Sequence, residues 1–231
     1  MSTIQADFDE LALLTADEWD HNSHYHNFLL RHVPSPCSES LEIGCGAGAF
    51  SRLLAARSKR VLALDLSPNM IRIAEEQPAL YPNLEFRVAD VMALDTGTEQ
   101  FDCVVSIATL HHLPLEEALL KMKRALKVNG VLLLLDLFQA DGILDTLRSG
   151  IALPMSVGFR LFNGSPPIAS QRVRDAWAKH GLNDSYLTLD QVRDVCRRLL
   201  PGAEVKRHLF WRYSVIWKKV LQRPDLPLLK E

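Results

Sequence analysis

The stretch Leu41-Glu42-Ile43-Gly44-Cys45-Gly46-Ala47-Gly48-Ala49-Phe50 constrains the fold more than any other part of the chain. An apolar run ends beside an acid, glycines follow at three alternate positions, and an amphipathic segment starts at once. That order reads as a strand, a tight turn and a helix N-terminus. The turn needs backbone angles that a Cβ disfavours, and the missing side chains let a ligand approach the main chain. The helix start adds unpaired N–H groups and the positive end of a dipole. Such a loop suits a nucleotide-like ligand.

Two templates fit it. Gly44, Gly46 and Ala49 satisfy the dinucleotide fingerprint G-x-G-x-x-G/A. Glu42, Gly44, Gly46 and Gly48 satisfy acid-x-G-x-G-x-G, the pattern of class I S-adenosylmethionine (SAM) dependent methyltransferases. Glu42 favours the second, because a carboxylate would repel a pyrophosphate. SAM instead carries a sulfonium and an ammonium, which an acid in the first strand can serve directly or through water. A second acid, Asp65, ends Val61-Leu62-Ala63-Leu64, 21 residues after Gly44. Both cofactor classes place an acid on the adenosine ribose at about that distance. The competing role for Asp65 is a helix cap, but Ser67 followed by Pro68 already supplies one. A third acid, Asp90, follows Leu84-Glu85-Phe86-Arg87-Val88-Ala89 and either accepts from the adenine amino group or serves as a turn residue. Three acids after three successive strands put the ligand outside the carboxyl edge of an open α/β sheet.

Phe101 to Ile107 reads as a fourth, buried strand. Ala108-Thr109-Leu110-His111-His112-Leu113-Pro114, a helix from about Leu115 to Lys127, and Lys127-Val128-Asn129-Gly130 turning into Val131–Leu135 complete the order. Over about residues 15–137, and more loosely 188–220, the chain resembles class I SAM-dependent methyltransferases of the small-molecule, ubiquinone/menaquinone methyltransferase-like type. Ala89 stands where that family often has glycine. The resemblance implies a Rossmann-like, doubly wound, seven-stranded and mostly parallel sheet. It further implies an antiparallel C-terminal strand, an N-terminal cap helix and a helical lid insertion, in one domain over 1–231. SAM is the implied cofactor and S-adenosylhomocysteine the product. The implied contacts fall at Glu42, Gly44, Cys45, Gly46, Gly48, Asp65, Leu66, Met70, Asp90, Val91 and Ile107.

The rest of the chain fits that frame. Residues 1–14 carry no strong pattern, a short helix being one option, and residues 22–33 read as a helix ended by Pro34, within a cap over 15–33. Beyond Leu137 the strand rhythm stops. Residues 138–185 hold short helical patterns at Gly142–Ala152 and Ala169–His180, and read either as a substrate lid or as a connecting helical layer. Leu189–Leu200 is amphipathic, and Ala203–Phe210 with Arg212–Val220 alternate as an antiparallel hairpin would. Trp211 and Trp217 are expected to pack on neighbouring helices.

The net charge of −2 gives no bulk field for nucleic acid. Six acids crowd residues 1–20 and nine bases crowd 193–223, either as two solvated faces that pair or as a patch for an anionic partner. Four dispersed cysteines without C-x-x-C suggest reduced thiols in the cytoplasm. The acidic N-terminus is unlike a signal peptide, and the longest apolar run is far too short for membrane insertion.

Methyl transfer from a sulfonium is an in-line displacement, so alignment and water exclusion dominate. A base is needed only for a protonated nucleophile or a carbon acid. His111, after the fourth strand, is the favoured base over His112, against a packing role for both. Asp136, at the end of the fifth strand, either orients a substrate or caps the next segment. In Trp19-Asp20-His21-Asn22-Ser23-His24-Tyr25-His26, the resemblance implies a cap on the cofactor's methionine end. Tyr25 then donates to its carboxylate and His24 or His21 serves as base. Plain packing is the alternative, and no remote ligand fits a metal site. Ser106-Ile107-Ala108-Thr109 lacks the Asn/Asp-Pro-Pro-aromatic segment of base-amine methyltransferases, a Pro-Cys nucleophile is missing, and no RNA-binding module is recognisable. A small apolar or aromatic acceptor suits the Leu-, Met- and Phe-rich segment Leu153–Phe162, and nucleic acid is not expected as a partner. The rivals are an RNA methyltransferase using the basic C-terminal face, an NAD(P)-dependent reductase, and a non-catalytic SAM-binding protein.

Overall fold

The apolar runs become strands buried on both faces. In the computed structural model β1 (Glu39–Ile43), β2 (Arg60–Asp65), β3 (Leu84–Val88), β4 (Phe101–Ile107), β5 (Leu126–Leu137), β6 (Glu204–Arg207) and β7 (Arg212–Lys218) form one sheet. Its order is β3-β2-β1-β4-β5-β7-β6. The structure describes residues 3–15, 21–76, 81–139, 171–181 and 186–221. β1 to β5 run parallel, and β7 runs antiparallel between β5 and β6. The doubly wound, mostly parallel sheet is as the sequence implied.

Successive strand residues point to opposite faces, and the core divides accordingly. Leu41, Val104, Leu132 and Leu134 meet α5 (Leu115–Ala125) and α7 (Leu189–Leu199) on one face. Val105, Leu133 and Leu135 meet α2 (His26–Leu30) and α3 (Ala49–Ala55) on the other. Each fully buried leucine contributes roughly 1.5–3 kcal/mol, so β4 and β5 anchor the edge that carries the site. Trp217 packs between α5 and α7: its indole N–H donates to the Pro201 carbonyl at 3.0 Å, and the Lys123 ammonium lies 5.5 Å from its ring.

Local chemistry sets the helix ends. Ser67 Oγ accepts from the Met70 N–H (3.1 Å) at the start of α4 (Pro68–Glu76), and Thr188 with Gln191 forms a capping box on α7. The helix expected over 22–33 is shorter: a 3-10 turn at Ser23–Tyr25 leads into α2. His21 and Tyr25 therefore do not share a helical face. Residues 3–15 form α1 (Thr3–Thr15), which packs on α4 and on α6 (Gln171–Gly181). Its buried Leu11 and Ala12 follow Phe8 at helical spacing.

Of the 138–185 insertion, α6 replaces the expected Ala169–His180 helix, while Gly142–Ala152 lies outside the described residues. The two ends of the insertion meet, because Gln139 N–H donates to the Leu187 carbonyl at 2.9 Å. In the basic C-terminal segment, Arg193 pairs with Asp190 and Arg197 with Asp194 one helical turn away, while Arg198 reaches Glu116 and Lys219 reaches Glu99. Asp7 and Glu10 pair with Lys179, and of the other acids of the N-terminal cluster, Asp17, Glu18 and Asp20 lie outside the described residues. No helix among the described residues is long and apolar enough to cross a membrane.

Candidate active site at the carboxyl edge

The sheet order reverses between β1 and β4, which leaves a crevice beyond their carboxyl ends. The glycine loop forms its floor. The N–H groups of Gly44 and Cys45 both donate to the Leu64 carbonyl, at 2.8 and 2.9 Å, and turn the chain sharply away from β1. Gly44 has φ +73°, and a Cβ there would lie 1.9 Å from Thr109 Oγ1. Gly46 has φ +52°, and a Cβ there would meet nothing within 4 Å. Gly44 is glycine because protein fills the other side. Gly46 borders open space in which a ligand can lie against the backbone. Gly48 starts α3, and the Arg52 guanidinium holds the carbonyls of Ala47 and Gly48. Cys45 is buried with Ala63 and Ile71, and burial pushes its thiol up.

Asp65 joins the loops after β1 and β2. One carboxylate oxygen accepts from Gly46 N–H and the other from Ser67 N–H, both at 2.8 Å. Burial raises its pKa and these N–H groups oppose the rise. Ser67 does the helix capping, so Asp65 is left to face the glycine loop, with Leu66 and Met70 half-buried beyond it. Asp90 is exposed just after β3, its carboxylate accepting from Met92 N–H at 2.8 Å, with Val91 buried behind it.

Glu42 departs from the sequence reading. It is 1% exposed, accepts from Ser51 Oγ at 2.6 Å, and burial pushes its pKa up to about 8. At neutral pH it holds a proton, so it is not the standing negative charge expected from its position, and it repels no pyrophosphate until it ionises. The choice between cofactor classes therefore rests on other observations.

The second wall comes from β4 and β5. Ile107 ends β4, Ala108 takes φ +51°, and the 3-10 turn Leu110–His112 presents His111. Its Nδ1 lies 2.6 Å from one oxygen of Asp136, and its backbone N–H donates to the other at 3.0 Å. The two side chains are 7% and 1% exposed. A carboxylate only accepts, so Nδ1 carries the proton and Nε2 is left as the basic nitrogen. Asp136 thus positions His111 and also receives the N–H of Leu137, at 2.7 Å. A cavity of about 560 Å³ opens beside this pair, with walls from Leu110, Leu113, Leu115, Leu137, Leu187 and Val195, and with His111, Gln191 and Tyr213 also lining it. Glu116 and Arg198, paired with each other, stand on it too.

α1 closes the crevice from above. Asp9 accepts from the Ser67 hydroxyl and from Asn69 N–H, while Phe8 meets the His112 ring edge-on at 5.2 Å. Phe8, Leu11 and Ala12 are the sequence signal for this helix.

His24 and Tyr25 sit elsewhere. Tyr25 is 6% exposed and donates its hydroxyl to the Leu209 carbonyl at 2.8 Å, so the donor expected to serve a cofactor carboxylate is already engaged. His21 stacks on Phe210 and His24 meets both Tyr25 and Phe210 edge-on. What the structure shows for this cluster is aromatic packing against the β6–β7 connection. Sequence reasoning does not single out Ser51 or Tyr213, whose positions are set by tertiary contacts alone.

Residues 41–134 match the methyltransferase domain family. An uncharacterized methyltransferase of Mycobacterium tuberculosis is 30% identical over 203 residues, 87% of this chain and 96% of its own length. A malonyl-[acyl-carrier protein] O-methyltransferase of Serratia marcescens is 32% identical over 155 residues, 67% of this chain and 58% of its own. Among solved structures, the N-methyltransferase NodS of Bradyrhizobium japonicum, in complex with S-adenosylhomocysteine, superposes with a TM-score of 0.64 at 18% identity, covering 94% of this chain and 99% of that one. A glycine loop open at Gly46, an acid tying it to β2, and a relative matched over nearly its full length lead to one conclusion: the chain belongs to the class I methyltransferases, and its cofactor is S-adenosylmethionine.

Proposed function

We propose that this enzyme methylates a small-molecule acceptor held in the cavity beside His111, with His111 as general base and Asp136 as its positioning residue. The observation that carries the reading is the His111–Asp136 pair on the wall of a cavity large enough for a small organic molecule. Gly44, Cys45, Gly46 and Gly48 offer the backbone against which the cofactor lies, Gly46 leaving the space. Asp65, with Leu66 and Met70, serves the ribose side, and Asp90 and Val91 the adenine. Ile107 lies at the β4 end, and Glu42 supports the loop from beneath. When bound, S-adenosylmethionine supplies a methyl group on a sulfonium, already electrophilic. The chain's own work is to orient the acceptor, exclude water and take up a proton at Nε2 of His111.

The relatives' names point to different acceptor atoms, an oxygen of malonyl-[acyl-carrier protein] in one and a nitrogen in the other, so they leave the acceptor to this cavity. The ion pairs of Arg193, Arg197 and Arg198 leave a weaker cationic face for RNA than their number suggests. A thermal-shift titration with S-adenosylmethionine, S-adenosylhomocysteine and NAD(H) tests the cofactor side, since a ligand that binds only the folded state raises the Tm. The first two stabilise the protein and the third does not. Retention of methyl transfer by His111→Ala would remove the base assignment.

A further inference from the structure

Tyr213 of β7 pairs with Asp136 of β5 in the antiparallel register, so the two side chains stand on one face of the sheet. Tyr213 lines the same cavity as His111. It is 3% exposed, yet its hydroxyl has no hydrogen-bond partner among the described residues and is not sealed away from the cavity. Phenylalanine would fill the same volume, so packing alone does not call for a hydroxyl here, and the unused donor faces the cavity rather than the protein. A tyrosine in this place points to a partner that arrives with a ligand. Burial and the Asp136 charge hold the phenol well above its ordinary range, so it remains a donor at any working pH. Beside the Glu116–Arg198 pair, Glu117, Gln191 and Asp194, the cavity thus has two neutral groups linked through Asp136: a donor, the Tyr213 hydroxyl, and an acceptor, His111 Nε2.

We infer that Tyr213 and His111 together recognise a hydroxyl group, so that the acceptor is an alcohol or phenol on an apolar body; the inference rests on this cavity being the acceptor site. The acceptor hydroxyl donates to Nε2 while its oxygen accepts from Tyr213. An oxygen that accepts one hydrogen bond still has a lone pair with which to attack. An amine nitrogen has only one, and a hydrogen bond from Tyr213 would occupy it. A carboxylate has no proton to give to Nε2 and would face the buried Asp136 charge. In the transfer, an oxygen lone pair forms the O–C bond to the methyl group, and the S–C bond breaks with its electron pair going to sulfur. The hydroxyl proton passes to Nε2. The products are an ether, neutral S-adenosylhomocysteine and an imidazolium that returns its proton to water. Tyr213 donates to the oxygen throughout and holds it in line.

Calorimetric titration of the protein, saturated with S-adenosylhomocysteine, with 2-naphthol, 2-naphthylamine and 2-naphthoate tests the inference. The three probes share one apolar body and differ only in the group presented. The expected result is that 2-naphthol binds at least about tenfold more tightly than the other two. Tyr213→Phe loses about tenfold for 2-naphthol alone, with no drop in Tm, because it removes only an unpartnered oxygen. Equal binding of the three, tightest binding of the amine or carboxylate, or no binding of 2-naphthol overturns the inference. The ranking on the unaltered protein carries the test even where the variant loses stability. Failure to bind S-adenosylhomocysteine at all would strike the parent reading instead, which separates the two.

Discussion

The two sides of the crevice are built on different principles. The cofactor side is one continuous stretch, β1 to α3, in which backbone turns and small residues make the surface. The proposed acceptor side is assembled from the β4 end, the start of α5, α7 and β7, and carries the side chains of His111, Asp136 and Tyr213. A backbone site tolerates little change in shape, whereas a side-chain site can change its chemistry at one position with the frame intact. On the proposed reading the cofactor side is thus the less tolerant of substitution, and the acceptor side is where specificity would reside.

The sharpest way to break that contrast is at the glycines. Gly44→Ala places a Cβ on Thr109 in a left-handed backbone, and should cost about 3–4 kcal/mol or abolish folding. Gly46→Ala meets no atom, so it should lose only about 1 kcal/mol of stability while S-adenosylhomocysteine binding weakens markedly. Chemical denaturation beside calorimetry separates the two, and equal stability loss would undo the distinction between them.

On the acceptor side, His111→Ala should lower kcat about 10²–10⁴-fold and leave the Kd for S-adenosylhomocysteine within a few-fold. A parallel loss of cofactor affinity would show that the two walls are not separable.

Glu42→Gln tests the floor. The Glu42 pKa is about 8 in the folded protein against an ordinary 4.5. Between those values the folded state holds a proton that the unfolded chain has released. Stability from this group is therefore full below about pH 4.5 and declines as pH rises towards 8, by no more than about 5 kcal/mol for the whole shift. The glutamine variant should flatten that part of the curve in urea melts run from pH 5 to 9, and an unchanged slope would place the titration elsewhere.

The smallest effect belongs to Ala108→Gly. Relief of φ +51° offsets the flexibility glycine adds to the unfolded chain, so stability should move by less than about 1 kcal/mol. A larger loss would mean that the strained turn before His111 is held by its methyl group.

Legibility in the sequence divides along the same line. The sheet, the glycine loop, Asp65 and the helix caps are local: the spacing of apolar residues and the backbone demands of a turn write them directly into the chain. His111 is readable because it comes just after a buried strand. Its partnership with Asp136 joins positions 25 residues apart and needs the sheet to exist. Glu42 is misjudged from sequence because its protonation depends on burial beneath Ser51, not on its neighbours in the chain. Tyr25 is misjudged because the Leu209 carbonyl that occupies it lies 184 positions away. Tyr213 offers no signal at all, since an alternating strand gives the face of a residue and not the emptiness before it.

Thr109 packs into the space left by Gly44, and this contact is a mechanical link. One residue belongs to the loop after β1 and the other to the loop after β4, so a larger side chain at either position pushes on the other loop. On the proposed reading those loops carry the cofactor and lead to the acceptor, and a change at Thr109 would be felt on both.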